Sequence, residues 1–388
     1  MTGLEPAVPG RKPVTAREQP PPRQEPAAID PDRTVQLPKR QLPAIDPERT
    51  DQFEVPAQQL IARAPAAAEP TNTAEPTNAA GPEVAAWLGA FRSFSVGDPG
   101  RAAGAPSYPD PKNWDRPDTV LDGVLLNAAN GSTAMQLRAA SVRGRSHRYE
   151  SRTRQDAYAY RCDGRFIVAA VADGVSAAPL SHVAANIVSR QGCNLVAKRL
   201  ETAPPEALDW SEILGVLAGI VIGSGRSLLP SRPDAEELGP FEVAEQLSTT
   251  VLFAVVQMRP VDGYRPVHVF SYGDTSAWIL RSGTHWEPLQ PVKNEGTVVA
   301  SSDTKGIPIV PRQAPPAIRT RLGSEDTLLL VTDGIGDPLG DGTGPVGAFL
   351  AQMWRRPPEP LAFAAHVDFA RKSHDDDRTA VAIWPTSA

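Results

Sequence analysis

The chain has 388 residues, of which 41% are apolar and 22% charged, and its formal net charge is -6. That length allows one large domain or two ordinary ones around a sizeable core. The acidic balance argues against a nucleic-acid partner, which needs a basic face. The two cysteines, Cys162 and Cys193, make no disulfide framework and point to a reducing, cytoplasmic setting. No segment reaches the ~20 apolar residues of a membrane span, and the opening "MTGLEPAVPGRKP" has no apolar signal core.

Taken in chain order, residues 1–82 hold sixteen of the 41 prolines and few aromatics, a composition that predicts a disordered segment. Within it "AIDPDRTVQLP" from Ala28 is nearly repeated as "AIDPERTDQFEVP" from Ala44, and "AEPTNTAEPTN" follows from Ala68. Duplication of a linker is the plain reading. The sharper one makes Thr34 and Thr50 matched phosphoacceptors that would dock a kinase or a phosphopeptide-reading domain. Residues 83–131 are expected as a linker, with a short amphipathic helix over Glu83–Phe94 that carries Trp87, Phe91 and Phe94 near one face.

From residue 132 to the C-terminus the pattern is globular. "FIVAAV" (Phe166–Val171), "TTVLFAVV" (Thr249–Val256), "VHVFSY" (Val267–Tyr272), "AWIL" (Ala277–Leu280), "TLLLVT" (Thr327–Thr332) and "TAVAIW" (Thr379–Trp384) read as strands. A hairpin turn is expected at Gly273–Asp274. Helical spacing predicts helices over residues 181–200, 210–229 and 347–354. Strands in groups with helices between the groups give an α+β arrangement with antiparallel sheets.

Aspartates stand at the ends of these strands. Asp173-Gly174 and Asp333-Gly334 each close an apolar run, and glycine there permits a sharp turn. Asp156 precedes a strand, Asp274 lies in a turn, and Asp375 to Asp377 crowd together before "RTAVAIW". Carboxylate and carbonyl oxygens are hard ligands suited to Mg²⁺ or Mn²⁺. Each feature alone is an ordinary turn or a solvated charge run.

Their order resembles the metal-dependent protein phosphatases, the type 2C serine/threonine phosphatases, in a bacterial branch. The motifs that carry the resemblance are Gln155-Asp156-Ala157, Asp173-Gly174, Ser248-Thr249-Thr250, Gly273-Asp274-Thr275, Thr332-Asp333-Gly334 and Asp376-Asp377-Arg378-Thr379, with "GRSH" at Gly144–His147 ahead of them. The resemblance implies a four-layer α-β-β-α sandwich of two antiparallel sheets flanked by helices. It implies phosphorylated protein substrates and two Mg²⁺ or Mn²⁺ ions. Asp173 would bridge them, Gly174 would offer its carbonyl, Asp333 and Asp376 would complete the carboxylates, and Asp156 would act through metal-bound water. Asp376, not Asp377, opens the Asp-x-x-Thr spacing. A third, weaker ion would sit between Asp274 and Asp337. The implied reaction is direct attack on phosphorus by a metal-bridging hydroxide, with Asp173 and Asp333 at its centre.

Some positions depart from the family. Ser151 stands where many members carry a phosphate-gripping Arg, which leaves Arg152 and Arg154 as substitutes. Gln155 replaces a glutamate. Val175 stands where eukaryotic members place a His, and His147 is the candidate for phosphate contact or protonation of the leaving group, against a scaffold role. Residues 290–322 are expected as a flap beside the site. "GIGDPLG" from Gly334 imitates a dinucleotide loop, but Pro338 argues against a clean helix start there. These departures keep open a second reading, a pseudophosphatase or phosphatase-fold binding module with little turnover.

Overall fold

The computed structural model describes residues 94–104, 107–109, 116–129, 131, 134–229, 237–291 and 306–386. All of them belong to one compact unit, Asn78–Ala388. The expectations for residues 1–82, including Thr34 and Thr50, lie outside the described residues, as do Trp87 and Phe91.

Among the described residues, two antiparallel sheets lie face to face. The first runs in the order β1 (Thr119–Asn127), β2 (Ala134–Val142), β11 (Arg378–Pro385), β10 (Thr327–Val331), β7 (Ser276–Arg281) and β8 (His285–Pro288). The second runs β3 (Ala157–Cys162), β4 (Phe166–Ala172), β5 (Val251–Gln257), β6 (Arg265–Tyr272) and β9 (Ile318–Leu322). Period-two alternation explains the layers. Ile167, Ala169 and Val171 of β4 pack between the sheets with Leu328 and Leu330 of β10 and Val381 and Ile383 of β11. The intervening Val168, Ala170 and Ala172 face helices α2 (Ser181–Arg199) and α3 (Trp210–Leu228). On the other side Leu329, Val331 and Trp384 face α5 (Asp333–Leu339), α6 (Pro345–Trp354) and α7 (Pro360–Val367). Strands buried on both faces read as unbroken apolar runs, which is why β4, β5 and β10 are legible in the sequence. The result is the four-layer α-β-β-α sandwich.

Helix α3 starts where the Asp209 carboxylate accepts the amides of Ser211 and Glu212 at 3.0 and 3.1 Å. Its length and hydropathy would suit a membrane span. Instead, Ile213, Leu214, Leu217, Ala218 and Val221 form a buried stripe against the sheet and α2. Trp210 stacks on Phe270 of β6 at 4.3 Å.

Four expectations change. Strand β1 pairs with β2 from Thr119 to Asn127, so the sheet begins ahead of residue 132 and replaces part of the linker. Phe94, the end of the predicted helix, is not helical; Val96 donates to the Ala370 carbonyl and the Phe94 ring packs on Phe349 and His366. Gly273–Asp274 is not a hairpin, because β6 and β7 belong to different sheets. Gly273 has φ +114°, and a Cβ there would overlap Thr250, so glycine is what lets the chain cross between layers. Finally, α5 does form directly after β10, with Pro338 inside its last turn.

Candidate functional site

Antiparallel register decides where the aspartates meet. Ala157 opens β3 opposite Ala172, which closes β4. Val331 closes β10 opposite Ala380 near the start of β11, and opposite Ser276 at the start of β7. Asp156, Asp173, Asp274, Asp333 and Asp376 therefore all project from one end of the sandwich. Parity then sets direction. Asp156 and Asp173 flank Ala157 and Ala172, which face the helices, so both carboxylates turn into the gap between the sheets.

The turn at Asp173-Gly174 is clamped by the Ser248-Thr249-Thr250 segment. The Asp173 carbonyl accepts from the Thr250 amide at 2.8 Å and the Thr249 hydroxyl at 2.7 Å, and the Val175 amide donates to the Ser248 carbonyl at 3.0 Å. A Cβ on Gly174 would press on the Gln155 carbonyl and on Ser181, so only glycine brings this turn against the start of β3. Asp333 opens α5, and Asp337 lies one helical turn further along the same face. Asp337 and Asp274 line one cavity of about 350 Å³ that also reaches Gln290 and Pro291.

In this centre the carboxylates face one another. Burial and then the charges of Asp333, Asp156, Asp274 and Asp376 push Asp173 well above the usual carboxylate range. Burial and then Asp274 and Asp376 push Asp333 up to about 7, while the neighbouring Asp173 carboxyl draws it down. Asp156 is raised by burial and by Asp377, although the Thr332 hydroxyl donates to it at 2.8 Å. Hard oxygen donors whose mutual repulsion lifts their pKa values fit divalent cations. The residues present thus suit Mg²⁺ or Mn²⁺.

Beside this centre lies a corner of opposite character. Asp377 is 2% exposed. Its Oδ1 accepts from the Gly144 amide at 2.6 Å and bonds His147 Nδ1 at 3.0 Å, and its Oδ2 accepts from the Gln155 amide. Burial alone would raise Asp377, but the His147 ring and the two amides hold it below the ordinary value. Burial opposes the charge on His147, yet Asp377 and then Asp376 raise its pKa. His147 Nε2 lies 3.6 Å from Asp376 Oδ1. Asp376 itself has a half-exposed side chain, turned towards the site. His147, Asp376 and Asp377 offer ligand atoms within 4.8 Å of one another, but the Asp377 oxygens are committed to protein donors. The "GRSH" stretch docks here: Ser146 donates its amide and its hydroxyl to the Asp375 carbonyl at 3.0 and 2.8 Å, and a Cβ on Gly144 would overlap residues 375–377.

The expected phosphate groups part company. Arg152 is partly exposed; it donates to the Ser176 carbonyl at 2.6 Å, and its charge is felt at His147 and Asp376. Arg154 is 3% exposed and donates to the Ser141 hydroxyl and, at 2.7 Å, to the Asp156 carbonyl. It is a brace under Asp156. His147, nearly enclosed at 2% exposure, lies between Asp377 and Asp376. Of the expected flap, residues 292–305 lie outside the described residues. Ile307 bridges to Thr249 beside the Asp-Gly turn, and β9 takes the end of the stretch into the second sheet.

Two functional residues escaped the sequence reading. Thr332 bonds Asp156 and also accepts the Thr379 amide at 3.0 Å, tying two motifs together; its position before Asp333 was the only signal. Arg378 is fully buried. It donates to the Gly334 carbonyl at 3.1 Å and to the His374 carbonyl, and its guanidinium lies 4.7 Å from the Phe369 ring centroid. It thereby fastens the Asp333 turn to the Asp376 loop, a role with no sequence signature.

Solved structures match this chain at low identity. The serine/threonine phosphatase Stp1 from Staphylococcus aureus matches at 15% identity over 67% of this chain and 97% of its own, with a TM-score of 0.45. A phosphatase from Toxoplasma gondii matches at 16% over 70% and 98%, with a TM-score of 0.46. The catalytic domain of the phosphatase PstP, solved with two manganese ions, matches at 16% over 66% and 100%, with a TM-score of 0.40. No curated protein sequence matches significantly. Residues 143–364, more than half of the chain, match the family model described as protein phosphatase 2C. That span runs from the start of the Gly144–His147 segment through the Asp156, Asp173, Asp274 and Asp333 turns, and the chain belongs to the protein phosphatase 2C family, as a metal-dependent phosphoprotein phosphatase.

Proposed function

We propose that the chain hydrolyses phosphoserine and phosphothreonine in proteins at the acidic end of the sandwich. The observation that carries this reading is the convergence of carboxylates from five separate turns, those of Asp156, Asp173, Asp274, Asp333 and Asp376, at one end of the sandwich. Asp173, the Gly174 carbonyl, Asp333 and Asp376 would hold two Mg²⁺ or Mn²⁺ ions, with Asp156 acting through water and Asp274 and Asp337 serving a third. When bound, such ions make a water nucleophilic near neutral pH and neutralise the charge on the phosphoryl oxygens. The chain's own part is placement. Thr332 and Arg154 fix Asp156, the Ser248–Thr250 segment fixes Asp173, and Asp377 with His147 fixes Asp376. Arg152 is the arginine positioned to meet the substrate phosphoryl group.

The test is Mn²⁺-dependent release of phosphate from phosphothreonine and phosphotyrosine peptides, with Asp173→Asn and Asp333→Asn as controls. Turnover on the phosphothreonine peptide far above both controls is expected. Turnover indistinguishable from the controls would reduce the protein to a binding module, and equal rates on phosphotyrosine would overturn the serine/threonine assignment. From its repeats alone, the N-terminal segment is also proposed to dock a kinase or phosphopeptide-reading domain. Deleting residues 1–82 should then abolish that binding and leave peptide turnover intact.

A further inference from the structure

A second cavity, of about 790 Å³, opens along the free edges of β1 and β3 and is roofed by α2. β1 and β3 are the edge strands of their respective sheets, so the two layers leave a slot that no neighbouring strand closes. Its lining is basic. Arg154 stands at its inner end, Arg116 on the β1 side, Arg161 at the end of β3 and Arg190 on α2. Arg116 and Arg154 are inside the slot, while Arg161 and Arg190 are exposed at its mouth.

These guanidinium groups act on one another. Burial and then the charge of Arg154, with a further contribution from Arg190, bring Arg116 down to about 10. Arg116 donates to the His182 carbonyl at 3.1 Å. Among the described residues, no carboxylate forms an ion pair with Arg116, Arg161 or Arg190. The one carboxylate in the lining, Asp122, accepts the Tyr158 hydroxyl at 3.0 Å. Arg154 faces Asp377, Asp156 and Asp118, and Asp377 also acts on Arg116, whereas Arg161 and Arg190 form no ion pair among the described residues. Arginines gathered at one slot favour an anion between them, and planar guanidinium forks match the oxygens of a phosphoryl group. The volume suits a small ligand or one group of a larger one. The acidic centre repels anions when it holds no metal, so the two regions have opposite preferences.

We propose that the slot between β1, β3 and α2 is a phosphoryl-binding site distinct from the acidic centre, with Arg116, Arg161 and Arg190 as its anion-binding groups. A phosphoryl dianion offsets two of their three charges, where a single carboxylate offsets one. Two sources share that chemistry: free inorganic phosphate, and a second phosphorylated residue on a peptide already presented to the acidic centre. Arg154 touches both regions, since it lines the slot and donates to the Asp156 carbonyl.

The test titrates the full-length protein with inorganic phosphate at constant ionic strength, with chelator present so that metal-bound phosphate does not contribute. Saturable binding is expected. It should weaken tenfold or more in the Arg161→Ala/Arg190→Ala double variant, whose exposed side chains can be removed without unfolding the chain, as a thermal melt would verify. It should persist in Asp173→Asn. Absence of saturable binding, unchanged binding in the double variant, or loss in Asp173→Asn with the double variant unaffected would each overturn the assignment. A parallel titration with singly and doubly phosphorylated peptides distinguishes the sources. Tighter binding of the doubly phosphorylated peptide, lost in the double variant, assigns the site to peptide; equal binding of both assigns it to free phosphate. Failure of peptide turnover leaves this result untouched, because the readout is equilibrium binding.

Discussion

Two groups of buried carboxylates lie side by side and obey opposite rules. Asp377 is surrounded by donors, two backbone amides and an imidazole, and is held below its ordinary pKa. Asp173 and Asp333 are surrounded chiefly by other carboxylates and are pushed up. Acidity alone therefore says little about role. A carboxylate whose lone pairs meet protein N–H groups is a structural anchor. One that meets only its own kind is prepared for a cation.

The sharpest way to break this contrast is to neutralise one member of each group. Asp173→Asn should reduce metal-dependent turnover about a thousandfold or more, because it removes one of the carboxylates that would hold the ions. Steady-state kinetics across a Mn²⁺ range checks this. Asp377→Ala should leave three buried donors unpaired and cost about 3–5 kcal/mol of stability, read from chemical denaturation. A loss below about 1 kcal/mol would mean the corner is not the anchor described here. Saturating Mn²⁺ should stabilise the native protein by roughly 2–3 kcal/mol at a hundredfold excess over its dissociation constant, and should fail to do so for Asp173→Asn. Without metal, that same variant should be about 1 kcal/mol more stable than the native chain, since a carboxyl whose ionisation is opposed by burial and neighbouring carboxylates is gone. A metal-free Asp173→Asn protein that melts earlier would erase the distinction between the two groups.

A buried histidine extends the rule to a base. The His366 ring is buried against Phe94 and Phe349, and burial lowers its pKa to about 4. Its ordinary value is 6.5, so between these values the unfolded chain takes up a proton that the folded chain refuses. The stability contributed by the neutral ring is whole above pH 6.5 and declines as the pH falls towards 4, by about 1–3 kcal/mol. His366→Phe should flatten that part of the stability–pH curve relative to the native chain. Parallel curves would show that His366 is protonated in place.

Much of this was legible in the sequence, for identifiable reasons. The strands buried on both faces announce themselves as apolar runs, and the aspartates at their ends keep a fixed order. β1 and β2 were missed because β1 is a half-exposed edge strand, with Leu125 at 60% exposure, and β2 carries Gln136 and Arg138 among its apolar residues. The Gly273-Asp274 turn was misread because a hairpin and a layer crossing have the same local chemistry, and only long-range pairing separates them. Arg154 looked like a ligand group because its neighbours along the chain are known and its neighbours in space, Ser141 and Pro117, are not. Asp377 hid for the same reason, since its donors come from Gly144, His147 and Gln155.

The antiparallel register that gathers Asp156, Asp173, Asp274, Asp333 and Asp376 at one end leaves plain turns at the other. The turn at Val261–Tyr264, with Asp262 and Gly263 in left-handed backbone, closes the far side between β5 and β6. Val261 and Tyr264 are exposed there. A fluorophore, a purification handle or a whole inserted domain placed in that turn would sit a full strand length from the chemistry. The far turns are thus free ground for attachment, while a single added methyl at Gly144 or Gly334 has nowhere to go.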